Sequence, residues 1–130
     1  MSRQPPLRTP LKRARGLGSA KTGTGHFIAQ RVTAIALVVL AVYVLGLVIS
    51  LADADYGRVR AAVARPFNAT LLMAFLVAAF WHAKLGLQVV IEDYVHAPAA
   101  AVGLQLLSLF TCALAAIAGV VAVLRITLGA

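Results

Sequence analysis

Apolar residues along the chain gather into three long runs separated by short polar breaks. The runs cover roughly Phe27 to Leu51, Pro66 to Ile91 and Pro98 to Leu128. Each exceeds the ~20 residues that cross a hydrocarbon core of about 30 Å at about 1.5 Å per residue. Pro66 and Pro98 stand near the starts of the second and third runs, where a missing backbone N–H does least harm. The pattern predicts an all-α membrane protein with three transmembrane helices, at about 27–51, 66–91 and 98–128. Residues 1–26 are rich in Arg, Pro and Gly and form a separate basic segment ahead of the three-helix domain at 27–130. The 51–65 connection carries Asp53, Asp55, Arg58, Arg60 and Arg65 and is expected to be a short exposed loop. No internal repeat is evident.

Composition agrees with the pattern. The chain is 62% apolar and 12% charged, which excludes an ordinary water-soluble domain. Its net charge of +8 invites a nucleic-acid reading, but Arg3, Arg8, Lys12, Arg13, Arg15, Lys21 and Arg31 concentrate that charge at the start. No aromatic residue is interleaved before Phe27, so the segment fits a membrane-proximal basic tail and no nucleic-acid partner is expected. By the positive-inside rule the N-terminus is cytoplasmic, or in the matrix were the protein mitochondrial. The loop expected to hold Asp93 and Tyr94 then faces the same side. The first span has no small-residue cleavage signature and is read as a retained helix. The alternative, an Arg-rich organellar transit segment, fits the basic, His-containing entry to that helix less well. The Gly23-Thr24-Gly25 run lacks the preceding strand and glycine spacing of a phosphate cradle and is read as a flexible turn. Cys112 stands alone, so no disulfide within the chain is available.

Candidate chemistry concentrates in the second span. His82, Lys84, Gly86, Gln88, Glu92, Asp93, Tyr94 and His96 interrupt or follow an otherwise apolar stretch. Ionisable groups at bilayer depth are costly unless paired, neutral or bound. At about 100° per residue, His82, Gly86, Val89 or Val90, and Asp93 share one stripe of the helix. Taking Ile91 as the membrane edge, His82 lies roughly 14 Å deeper, near the midplane. Gly86 leaves room beside it for a flat group. Two readings of His82 stand at this point: an axial ligand to a haem iron, or a histidine hydrogen-bonded between helices. His26 and His96 lie at the edge, too far to supply a second axial ligand, so a haem here needs a partner subunit. Lys84 falls on nearly the opposite face and either snorkels, meets a lipid phosphate or pairs with a companion. Glu92 is read as solvated at the helix end.

Several of these residues carry a resemblance. His82-x3-Gly86-x2-Val89-x3-Asp93-Tyr94, followed by Val95-His96, and Gly25-His26-Phe27-x3-Arg31-Val32-Thr33-Ala34 resemble the small hydrophobic membrane-anchor subunits of succinate dehydrogenase, respiratory complex II. The runs Gly18 to His26 and Gln88 to His96 are similar to the alphaproteobacterial form of that anchor. The resemblance spans essentially the whole chain. It implies that His82 supplies one axial ligand to haem b, the other coming from a companion three-helix anchor of the cytochrome b556 type. It also implies that Tyr94 hydrogen-bonds a ubiquinone carbonyl, with Asp93 charge-paired beside it to a companion Arg, and that Arg31 and, less closely, His26 stand near the haem propionates. FAD and iron–sulfur clusters belong to partner flavoprotein and iron–sulfur subunits, and the chain alone is no complete enzyme. The location implied is a bacterial inner membrane.

The residues' own chemistry is compatible with those roles. A phenol beside a carboxylate at a wet membrane edge can polarise a quinone carbonyl and relay protons. An Arg near the start of a span can snorkel to pair with a propionate. Plainer roles stand beside these: Tyr94 as an aromatic-belt anchor, Asp93 as a loop carboxylate, Arg31 as one more positive-inside residue. The alternatives for the whole chain are a fumarate-reductase-type anchor oxidising quinol, or a haem-free structural membrane protein.

Overall fold

The computed structural model describes residues 23–129. The basic tail, with Arg3, Arg8, Lys12, Arg13, Arg15 and Lys21, and the Gly18–Thr22 part of the first motif lie outside the described residues. Four helices follow in order: α1 (Gly23–Ser50), α2 (Tyr56–Ala64), α3 (Pro66–Tyr94) and α4 (Pro98–Leu128). There is no strand among the described residues. α1, α3 and α4, of 28, 29 and 31 residues, are each long and apolar enough to cross a membrane.

Local chemistry explains the boundaries. Arg65 and Ala97 hold extended backbone directly before Pro66 and Pro98. A proline ring disfavours helical backbone in the residue before it, while its own fixed φ suits the first helical position. α4 ends where Gly129 turns left-handed at φ 80°, its N–H reaching the carbonyls of Arg125 and Ile126.

Two local expectations are corrected. The 51–65 connection is no simple loop, because Asp55 accepts a hydrogen bond from the Arg58 N–H at 2.8 Å and caps the nine-residue α2. Alanines at 61, 62 and 64 then favour the helix. Gly23-Thr24-Gly25 is no turn either, since it forms the first turn of α1. Helix propensity is a weak preference, and the packing of the turns that follow overrides it here.

α3 is the central helix, packed against α1 on one side and α4 on the other, both antiparallel to it. Gly119 of α4 lets that helix approach closely: a Cβ there would stand 3.0 Å from Leu76 Cδ1. At the Ser50 end of the bundle, Tyr43 Oη donates to Asn68 Oδ1 at 2.7 Å. Asn68 Nδ2 in turn donates to the Ala62 carbonyl at 2.8 Å, and the Tyr43 ring meets Phe67 edge-on. One buried amide thus ties α1, α2 and α3 together. Asn68→Leu is expected to destabilise the bundle by about 1–2 kcal/mol, the range for buried polar contacts between membrane helices. Thermal denaturation of the purified protein in detergent checks this.

The interior is small. Ala69, Leu85, Ile91, Cys112 and Val123 are its buried apolar residues, and α1 contributes none. Val32, Ile35, Val39 and Val42 of α1 are all more than half exposed. Apolar surface of this extent belongs against lipid tails or the helices of another subunit.

Candidate functional site in the membrane seam

The contact between α1 and α3 is a polar seam. Thr33 Oγ1 lies 3.0 Å from His82 Nδ1, joining the two helices near mid-span. The same hydroxyl donates back along α1, with the carbonyls of Ala29 and Gln30 at 2.8 and 3.1 Å. His82 Nε2 makes no hydrogen bond among the described residues. His26, Gln30 and Thr33 recur at the spacing that stacks side chains on one helix face. His26 Nε2 and Gln30 Oε1 are buried with no hydrogen-bond partner among the described residues. Each such orphan costs about 1–3 kcal/mol until something outside the described residues satisfies it.

Gly86 stands one turn from His82 on the seam. An added Cβ would meet nothing nearer than Gln30 Nε2 at 4.0 Å. Packing of α1 on α3 therefore does not demand a glycine, because an alanine there would make only ordinary contact with Gln30.

Asp93 and Tyr94 are not in a loop as expected: α3 continues past Ile91, and the two occupy its last turn, at the end of the bundle where α1 begins. They lie roughly 16–18 Å from His82 along the helix axis at about 1.5 Å per residue. Extending the register from the Gln30–Gly86 approach puts Asp93 level with Gly23. Tyr94 is 78% exposed and Asp93 is exposed too. Two adjacent carboxylates, Glu92 and Asp93, sit at the negative end of the helix dipole, with no basic residue in that turn. That is the unfavourable end for an acid and invites a cation from elsewhere. Arg31 points off the seam, its guanidinium over the Phe27 ring at 5.1 Å. The helices therefore bring His82, Gly86 and His26 onto one seam, whereas Arg31, Asp93 and Tyr94 are exposed near one end.

Lys84 finds its partner within the chain. Its Nζ donates to Gln88 Oε1 at 2.7 Å, and Gln88 Nε2 donates to Glu92 Oε1 at 2.8 Å. This ladder climbs the α4 side of α3 beside a cleft of about 250 Å³ that Gln105 and Ser108 also line. It carries the mid-span ammonium toward the wet end and gives Glu92 a structural partner. Lys84→Met is expected to cost about 1–2 kcal/mol at most and to leave the Thr33–His82 contact untouched, because the two residues face different helices. Denaturation of the purified protein in detergent checks this.

Sequence reasoning missed the roles of Thr33, Gln30, Tyr43 and Asn68. Tyr43 and Asn68 were visible as polar residues in or beside apolar runs, and Gln30 and Thr33 as polar residues at helical spacing from His26. Nothing in the sequence specified which helix each would face.

Three membrane-length helices, two of them joined by a polar seam, with exposed polar residues at one end, define a multi-pass membrane protein. The chain belongs to the succinate dehydrogenase/fumarate reductase transmembrane subunit family, which matches residues 5–122. It is 36% identical over 89 residues to the succinate dehydrogenase hydrophobic membrane anchor subunit of Rickettsia bellii (strain RML369-C), covering 68% of this chain and 71% of that one. Similarity to the same-named subunit of Paracoccus denitrificans is 36% over 86 residues, covering 66% and 67%. For that of Rickettsia conorii it is 33% over 90 residues, covering 68% and 71%. No solved structure matches.

Proposed function

We propose that this chain is the membrane anchor of a bacterial inner-membrane succinate dehydrogenase, with residues 1–26 as its basic cytoplasmic segment and 27–130 as its anchoring domain. It packs against a second three-helix anchor, docks the iron–sulfur and flavoprotein subunits on the cytoplasmic side, and contributes to a haem b site and a ubiquinone-reduction site. The observation that carries the haem assignment is the state of His82: Nδ1 is tied across the seam while Nε2 has no partner among the described residues. The lack of a side chain at Gly86 and the orphaned polar atoms of His26 and Gln30 also fit a group supplied from outside the described residues. His82 would hold the iron jointly with the companion subunit and His26, on the same seam, would hydrogen-bond a propionate, whereas Arg31 would pair with one only by swinging away from the Phe27 ring toward the seam. Haem, when bound, supplies a one-electron store beside the quinone site.

At the quinone end, this chain's contribution is orientation and proton supply. The Tyr94 hydroxyl donates a hydrogen bond to a quinone carbonyl oxygen, strengthening as negative charge gathers there during reduction. Asp93, paired with a cation of the companion anchor, fixes the end of α3 that carries Tyr94. Their exposure at the turn where charge is electrostatically out of place supports a site completed by other subunits. Complex isolated through this chain is expected to reduce ubiquinone with succinate. A complex that instead oxidises menaquinol with fumarate far faster would assign the chain to the fumarate-reductase branch of the family.

A further inference from the structure

We infer that Thr33 is the positioning residue that keeps the His82 proton on Nδ1 and leaves Nε2 as the iron-binding nitrogen, a role that rests on His82 being the haem ligand. A threonine hydroxyl has one hydrogen to give and two lone pairs with which to accept. Thr33 Oγ1 is 2.8 Å from the Ala29 carbonyl oxygen, which can only accept, so the hydroxyl hydrogen is committed there. The 3.0 Å approach of His82 Nδ1 is then a hydrogen bond with the imidazole N–H as donor. A neutral imidazole carries one such hydrogen, so Nε2 bears the free lone pair; this tautomer is assigned from the hydrogen-bond network.

The arrangement does more than select a nitrogen. Metal-binding histidines commonly donate their second ring N–H to a fixed acceptor, which sets the ring's orientation and raises its basicity. Here the acceptor belongs to a different helix from the ligand, so the same bond locks α1 to α3 at the depth of the iron. Branching at the threonine Cβ restricts its rotamers and holds Oγ1 in place. A hydroxyl is also a neutral acceptor, which strengthens the imidazole as a donor without burying an additional charge in the membrane.

The test uses the intact complex carrying Thr33→Val, Thr33→Ser or His82→Ala. Its readouts are haem bound per flavin, haem loss to a competing apoprotein, and the haem midpoint potential. Valine keeps the shape and removes the acceptor, so haem affinity falls about 10- to 100-fold, and the remaining haem titrates at a higher potential because a less basic ligand favours the ferric state less. Serine, which makes the same back-bond and accepts from Nδ1, restores both. Should the valine complex fail to assemble, Thr33→Ala is read the same way. A valine or alanine complex with unchanged haem affinity and potential overturns the inference, as does a serine complex whose potential is shifted. A native b-type spectrum in His82→Ala would instead overturn the ligand assignment itself, which separates the two failures.

Discussion

On the proposed function, His82→Ala is expected to abolish the b-type absorption band of the isolated complex while leaving its subunits associated. The imidazole is one of only two bonds expected to hold the iron, and the methyl group that replaces it has no lone pair. Imidazole loss also leaves Thr33 with its bond to the Ala29 carbonyl intact, so α1 is little disturbed by the change. Packing is preserved in the main because His82 is only partly buried and the contacts of α3 with α4 lie on another face. The spectrum and the subunit composition of one sample decide the matter. Retention of an unaltered band would remove His82 from the iron and leave it as a helix-contact residue bonded to Thr33.

On the proposed function, Tyr94→Phe is expected to separate succinate oxidation from quinone reduction. Succinate oxidation by a soluble artificial acceptor draws electrons before the membrane site and should stay near its native rate. Ubiquinone reduction should fall by about 100-fold, the magnitude that attends removal of one well-placed hydrogen-bond donor to a developing oxyanion. Phenylalanine preserves the ring, so membrane-interface packing is unchanged and the hydroxyl alone is tested. Tyr94 is exposed in this chain and supports no internal contact whose loss would unfold α3. Equal loss of both activities would point to misassembly, and no loss of either would make Tyr94 an aromatic-belt anchor.

The spans were legible in the sequence because bilayer thickness and backbone hydrogen bonding leave few alternatives for a long apolar run. Pro66 and Pro98 marked two helix starts to the residue. α2 escaped because nine residues with two arginines among them show no apolar run, and its start depends on one side-chain bond from Asp55. Lys84 looked unassigned although Lys84, Gln88 and Glu92 recur every fourth residue; the ladder was readable from helix geometry alone. Thr33 is different. Its partner is 49 positions away, and which face of α1 meets α3 is set by packing between helices that are apolar almost all round. Periodicity singles out a contact face only when polar residues oppose apolar ones, a contrast that a membrane helix lacks.

The most direct measurement is to isolate the native complex through a tag on this chain and record its reduced-minus-oxidised spectrum, with succinate as the reductant. A flavoprotein, an iron–sulfur protein and a second small anchor should accompany the chain, together with a b-type band that succinate reduces. Isolation of the chain without redox partners and without haem would contradict the assignment and leave the His82–Thr33 seam as a structural contact.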